Sequence, residues 1–314
     1  MVIKPMDTAY VSNSASNAAM AFIRKNLFGI VILAPAALYL IGFLLIILYK
    51  VLELSFTFDG PDGTLFPTAI HFIELSKRSE FREAFTRTLW FTLIGTPLEL
   101  FVGMVAAFLI SKEFKGRGLI RSLFVLPLAI PTIVTAITLY IVFDFPGGHV
   151  NDLLMGHHAF FPFQIISYPV DWRGSEFFAL IVSIFGKVWR DMPISMLIIL
   201  AGLQAIPEDQ YEAAKTLGAG AFQTFLKITL PLLTPAMSTV LVLRSIEVWK
   251  EFIFPFILAG SYPLLATLIE RAYHEWRNPN EACAISLVLL GLIIFSTVFI
   301  FKTLKWLRHR LVRI

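Results

Sequence analysis

Several ionisable side chains lie in stretches otherwise apolar enough to cross a bilayer: Glu99, then Lys187, Arg190 and Asp191, then Arg244, Glu247, Lys250 and Glu251. Charge in hydrocarbon is costly, so such groups face a pathway, a partner or one another. Glu247, Lys250 and Glu251 follow at spacings of three and four, which on a helix puts them on one face, with Arg244 a turn earlier. On that face Glu247 and Lys250 are placed to neutralise each other. Trp249 and Phe252 flank them, and Trp189 stands beside Arg190 and Asp191. Two readings fit. One is a polar path for a hydroxyl-rich ligand, whose C–H surfaces would pack on the aromatic faces. The other is an ion-pair network at the membrane edge or against a companion chain.

Bond-making chemistry has no candidate, so no catalytic residue is expected. The sequence has no Gly-x-x-x-x-Gly-Lys-Ser/Thr phosphate loop, no Gly-x-Ser-x-Gly elbow and no His-Glu-x-x-His pair. His149, His157 and His158 form no compact ligand set with an acidic or thiol partner, so no metal site is expected. Cys283 is the single cysteine; it excludes an intrachain disulfide and reads as a small buried hydrophobe.

The elements that must position these residues are membrane spans. Of 314 residues, 57% are hydrophobic and 15% charged, against about 25% charged in a soluble domain. Six stretches approach the ~20 apolar residues a crossing needs: Leu27–Tyr49, Phe85–Ile110, Leu119–Phe143, Phe177–Leu203, Pro231–Leu258 and Ala282–Phe301. The first is too long for a signal-peptide core and has no cleavage pattern after it. Pro127, Pro131, Pro193 and Pro255 either break helices beside a cavity or kink them.

Lys and Arg concentrate in alternate loops. One set is Lys4, Arg24 and Lys25, then Lys112, Lys115, Arg117 and Arg121, then Lys215 and Lys227, then Lys302, Lys305, Arg308, Arg310 and Arg313. The sparser set is Lys50, Lys77, Arg78 and Arg82, then Arg173, then Arg271 and Arg277. The richer side is cytoplasmic, so both termini lie inside. The net charge of +4 is thus a topology signal, and no nucleic-acid partner is expected. The expected organisation is a cytoplasmic segment 1–26, a membrane domain 27–301 and a basic cytoplasmic tail 302–314. Turns are expected outside at Phe58–Gly63 and Phe145–His149.

Between the fourth and fifth spans, a cytoplasmic loop at about 204–230 reads as two short helices around a glycine. Pro207 suits a first helical turn, and Glu208 and Asp209 sit at the positive end of its dipole. Gly218 suits the left-handed cap. Phe222, Phe225 and Ile228 form an apolar ridge on the second helix. The loop either links two spans or docks a peripheral partner, for which Ala213–Ala214 would permit close approach and Glu212 a charged contact.

The block Glu212-Ala213-Ala214, three residues, Gly218-Ala219, then Phe225, Ile228, Leu230-Pro231 and Pro235 resembles the EAA loop of permease subunits of binding-protein-dependent ABC importers. The resemblance extends to Gly116–Pro131, to Gly147–Leu154 with its Gly-x-x-Asn-x-x-Leu run, and to Trp189–Pro207, as in the sugar-type branch. Leu217 stands where that branch usually has Asp. The Trp249–Pro255 run is similar to the companion subunit type.

The resemblance implies an all-α integral membrane protein of the type I importer permease fold, with six transmembrane helices and cytoplasmic termini. It would sit as a multi-pass protein in a bacterial or archaeal cytoplasmic membrane. Glu212, Ala213, Ala214, Gly218 and Ala219 would contact a separate ATPase, Glu212 pairing with a basic residue and Gly218 setting the bend. Implied partners are a second permease subunit forming a heterodimer, two ATPase copies, an external solute-binding protein and membrane lipid. ATP and Mg would be used by the ATPase, with no cofactor on this chain. The implied solute is a di- or oligosaccharide or a polyol phosphate. A polyamine, metal ion or other small solute is the alternative within the class. A transporter driven by an ion gradient would be expected to carry internal inverted repeats, which the sequence lacks.

Overall fold

A computed structural model describes residues 8–61, 63–157 and 161–311, with side chains from 28 to 306 apart from 30, 62 and 158–160. His158, Asp62 and the extreme ends of the expected tails lie outside the described residues.

Residues 1–53 form one unit and 54–314 another. The first is dominated by the helix α1 (Thr8–Ser55), whose 25-residue stretch Val31–Ser55 is long and apolar enough to cross a membrane. Lys50 and Glu53 pair at 2.7 Å near its end.

The second unit opens with a hairpin of β1 (Phe58–Gly60) and β2 (Gly63–Leu65), paired antiparallel with Phe58 opposite Leu65 at the expected turn. Then come α2 (Ile70–Lys77), α3 (Ser79–Ser111), α4 (Arg117–Ala129), α5 (Thr132–Val142), α6 (His149–Leu154), α7 (Glu176–Gln204) and α8 (Glu208–Thr216). α9 (Ala221–Thr224) runs through a π turn (Phe225–Thr229) into α10 (Leu230–Trp249). α11 (Ile253–Leu258), α12 (Leu265–His274) and α13 (Pro279–Leu311) follow.

Two of the expected spans are not straight rods. The expected third span is α4 and α5, bent by 94°. Pro131 caps the start of α5, where its ring supplies the extended backbone between the two helices. The expected fifth span ends at Trp249 instead of Leu258, because Lys250–Phe252 break it before α11. It also begins earlier: Pro231 lies inside a continuous apolar stretch, Ala221–Trp249. α7 matches the fourth span in length but carries Lys187, Arg190 and Asp191; among the described residues, four other helices and the bent pair are long and apolar enough to cross a membrane.

At the centre, α3 and α7 lie side by side. Gly103 of α3 sits where a Cβ would come within 2.5 Å of Ser195 Cβ and 3.0 Å of the Met196 nitrogen on α7. Below it Ala106, Ala107, Ile110, Met196, Ile199, Leu200 and Leu233 close one apolar core. Gly186 of α7 likewise admits Leu139 and Phe254, so α5 and α11 pack on its far side. α12 is tied to α3 by Thr88, whose hydroxyl accepts from the Leu265 N–H at 2.8 Å.

The Gly-x-x-Asn segment has a structural reason. Asn151 is fully buried. Its Nδ2 donates to the Asp144 and Val170 carbonyls at 3.2 and 3.0 Å. Its Oδ1 accepts from the Val170 N–H and Trp172 Nε1, both at 3.0 Å.

Gly103→Leu should force α3 from α7 and lower stability by about 1–3 kcal/mol, the usual cost of overpacking. Thermal melting of the detergent-purified protein measures it; an unchanged midpoint would mean the helices do not meet at Gly103.

Candidate functional site

The intramembrane charges converge between α3, α7 and α10. Lys187 and Asp191 are one turn apart on α7 and pair directly, and Arg190 bonds the other Asp191 oxygen. Lys187 Nζ also lies 3.1 Å from Glu251 Oε2. Arg244 on α10 reaches three carboxylates: Glu247 at 3.0 Å, Asp191 at 3.9 Å and Glu99 of α3 at 4.0 Å. The side chains of Glu99, Lys187, Asp191 and Arg244 are 0–4% exposed, whereas Glu247 is 40% and Arg190 24% exposed.

Glu251 has a second role. Its Oε1 accepts the Phe254 N–H at 3.3 Å, satisfying one free donor at the start of α11. One carboxylate thus both closes the network and restarts the broken helix.

The expectation that Glu247, Lys250 and Glu251 share a helical face is corrected. The helix stops at Trp249, so Glu251 turns inward to Lys187, Lys250 is exposed, and Glu247 pairs with Arg244 instead of Lys250. Trp249 is buried, and Phe252 is half-buried and stacks on Phe256 at 4.9 Å. Trp189 stays 38% exposed beside an apolar groove of about 560 Å³ between α3 and α7. Lys187, Arg244 and Glu99 emerge as the buried centre of the network. Their signal in the sequence was charge within an apolar run, but only the fold brings the three helices together.

The 204–230 loop is built as a rigid bracket. Pro207 sits as the N-cap of α8, one position before the expected first turn. Gly218 has φ +76°, a conformation costly for side-chain-bearing residues. The Ala219 N–H bonds the Ala214 carbonyl at 2.9 Å and the Gly218 N–H the Lys215 carbonyl at 3.0 Å, a Schellman closure of α8. Tyr211 OH lies 3.4 Å from Thr229 Oγ1, tying α8 to the π turn. Phe225 packs edge-on to Phe108 of α3 at 5.5 Å.

Glu212 and Ala213 are exposed, and Leu217 is 86% exposed at the tip. Ala214 is buried and Ala219 half-buried, so the expected Ala-Ala face is corrected: only Ala213 faces outward. On the apolar ridge Phe225 and Ile228 are half-buried, while Phe222 is 73% exposed. Beneath the loop lies an open groove of about 580 Å³ lined in part by Lys112, Tyr211, Lys215 and Phe225.

Apolar helices around a buried charge network, with an exposed bracket between two of them, are the architecture of a multi-pass membrane protein. The chain belongs to the family of binding-protein-dependent transport system inner membrane components, which it matches over residues 99–311.

Two relatives place it further. It is 33% identical over 226 residues to the trehalose/maltose transport system permease protein MalF of Thermococcus litoralis, covering 70% of this chain and 74% of that one. It is 28% identical over 293 residues to the sulfoquinovosyl glycerol transport system permease protein SmoG of Agrobacterium fabrum, covering 89% and 91%. Its fold is that of a solved bacterial ABC transporter involved in alginate import, with TM-score 0.72, 20% identity, and coverage of 95% of this chain and 99% of that one. A second structure, with an alginate pentasaccharide-bound periplasmic protein, gives TM-score 0.74 at 18% identity, covering 89% and 94%. The protein is an ABC importer permease.

Removing one partner of a buried pair typically costs ~3–5 kcal/mol. Asp191→Asn should therefore destabilise strongly by leaving Lys187 and Arg244 under-compensated. Glu247→Gln, at the exposed rim, should cost at most about 1 kcal/mol. Melting of the two variants in parallel checks this; equal effects would deny the buried centre.

Proposed function

We propose that this chain forms one half of the membrane path of a carbohydrate importer, driven by a separate ATPase that seats against the Glu212 bracket. The observation that carries the coupling is the bracket itself. An exposed carboxylate, a small neighbour and an apolar tip at Leu217 stand on a short helix closed by Gly218. Such a surface suits insertion into a groove carrying a basic residue. α8 is also bonded to the π turn, which runs directly into α10. A push on α8 would therefore move α10, and with it Arg244, Glu247 and Trp249 at the other end of that helix. Alternating access would follow from ATP binding and hydrolysis, with Mg, in the partner.

The remaining partners are proposed on the same footing: a companion permease, two ATPase copies and an external solute-binding protein. We place the cytoplasmic ends at 1–26 and 302–314, with six crossings between, counting α7 and the bent pair. α7 qualifies because the charges of Lys187, Arg190 and Asp191 are met inside the bundle.

The carbohydrate assignment rests on the sugar and sugar-glycerol names of the relatives. Trp189, Arg190, Glu247, Lys250 and Phe252 would border the path. There Trp189 and Phe252 would meet sugar C–H faces, and Arg190, Glu247 and Lys250 the hydroxyls. Asp191 and Glu251 would hold this surface in place from the buried side, while Trp249 backs it.

In cells expressing the complete transporter, Glu212→Lys should reduce uptake of labelled di- or oligosaccharide to background while membrane levels stay normal. Undiminished uptake would sink the coupling role. Trp189→Ala should keep the ATPase bound yet lower uptake about tenfold, the scale of one lost aromatic contact. A polyol phosphate and a polyamine in the same assay test the solute class; transport of the polyamine alone would overturn the carbohydrate reading.

A further inference from the structure

A second constellation lies away from the charge network, where α2 meets the start of α13. His71 is 3% exposed, and its ring is held under Phe58 with centroids 5.6 Å apart. Its Nε2 lies 2.9 Å from the Thr57 carbonyl oxygen, which can only accept, so that nitrogen carries the proton. The lone pair of the neutral ring is then on Nδ1, which is buried and has no hydrogen-bond partner among the described residues. A buried acceptor left this way is destabilising unless something fills it.

The groups nearest to supplying a partner are themselves acceptors. Glu74 lies three residues on along α2 and Glu281 in the first turn of α13, and His71, Glu74 and Glu281 offer ligand atoms all within 4.8 Å of one another. Glu281 is 3% exposed and is gripped by Arg78 through both oxygens, at 2.6 and 2.9 Å. That fork uses two of about four lone-pair sites on the carboxylate. Arg78 is in turn fixed over the Trp276 ring at 4.9 Å.

Three acceptors with ligand atoms within 4.8 Å of one another, one of them a buried and unpartnered imidazole nitrogen, leave a place for a cation between them. The surroundings also resemble a metal site's outer shell: metal-bound histidines characteristically donate their other ring N–H to a carbonyl, and ligating carboxylates are themselves hydrogen-bonded. We propose that His71, Glu74 and Glu281 bind a divalent cation of the zinc class. One imidazole nitrogen with two carboxylates and an open fourth position suits zinc, whereas magnesium and calcium favour all-oxygen sets. The ion would pin α2 to the start of α13 and, through the Thr57 bond, to the chain leading into the hairpin. It is independent of the transport reading.

The test uses tag-free protein, purified in the complex it forms and stripped with EDTA. Zinc chloride is titrated by calorimetry, with the melting temperature followed alongside. Wild type is expected to bind one more zinc per copy of this chain than Glu74→Gln, and to melt higher when loaded. Glu74→Gln is the clean variant, because that side chain, unlike His71 and Glu281, is not buried. It should weaken the site at least ~tenfold. His71→Ala should lose the zinc-dependent melting shift whatever its basal stability. No saturable zinc binding by wild type, or the same binding and shift in Glu74→Gln, would overturn the proposal.

Discussion

Charge inside an apolar bundle must be answered within reach of the same side chain, and Asp191 is where this protein answers it. It receives Lys187 and Arg190 from its own helix and approaches Arg244 from α10 at 3.9 Å. The desolvation of each ion amounts to several kcal/mol, so the arrangement is tolerated only when all partners are present. That requirement fixes which faces of α3, α7 and α10 meet. Small residues make the approach possible: Gly103 and Gly186 remove the side chains that would hold neighbours away from α7. Packing and electrostatics therefore specify the same geometry. Replacing the network by apolar side chains would keep the bundle shut but discard the orientation it enforces.

The same logic connects the two candidate regions. The bracket and the network stand near opposite ends of one continuous helical run, from Ala221 through the π turn to Trp249. Its lower end is held to α8 by Tyr211 and to α3 by Phe225. Its upper end stops beside Glu251, which pairs with α7 and starts α11. A π turn is a common mark of functional positions in helices. Here its first residue, Phe225, packs on Phe108 of α3, while Phe222 one turn before it is exposed.

Much of this was legible in the residues. Apolar runs located the helices, and the need for a positive-φ residue after α8 singled out Gly218. The remainder depended on contacts that no local pattern encodes. Helical periodicity continued through Lys250–Phe252 and put Glu251 on the face of Glu247, because nothing local reveals that Lys187, some sixty positions away, would draw Glu251 inward. Ala214 looked equivalent to Ala213 until α8 was docked. Pro127 and Pro131 marked a possible break, but neither residue type encodes the size of the turn, 94° between α4 and α5. Asn151 matched a motif whose reason became visible only when Val170 and Trp172 folded back onto it.

An ATPase seated on the bracket would lie within reach of a thiol on the exposed side of α8. With Cys283 the single native cysteine, a Cys283→Ser background carrying Ala213→Cys places one thiol on the exposed side of α8. A short bifunctional cross-linker would then be applied to membranes containing the full transporter. The account requires a product joining this chain to an ATPase subunit, with a yield that changes on adding ATP. A chain that transports sugar in liposomes by itself, with no ATPase cross-linked at position 213, would contradict it.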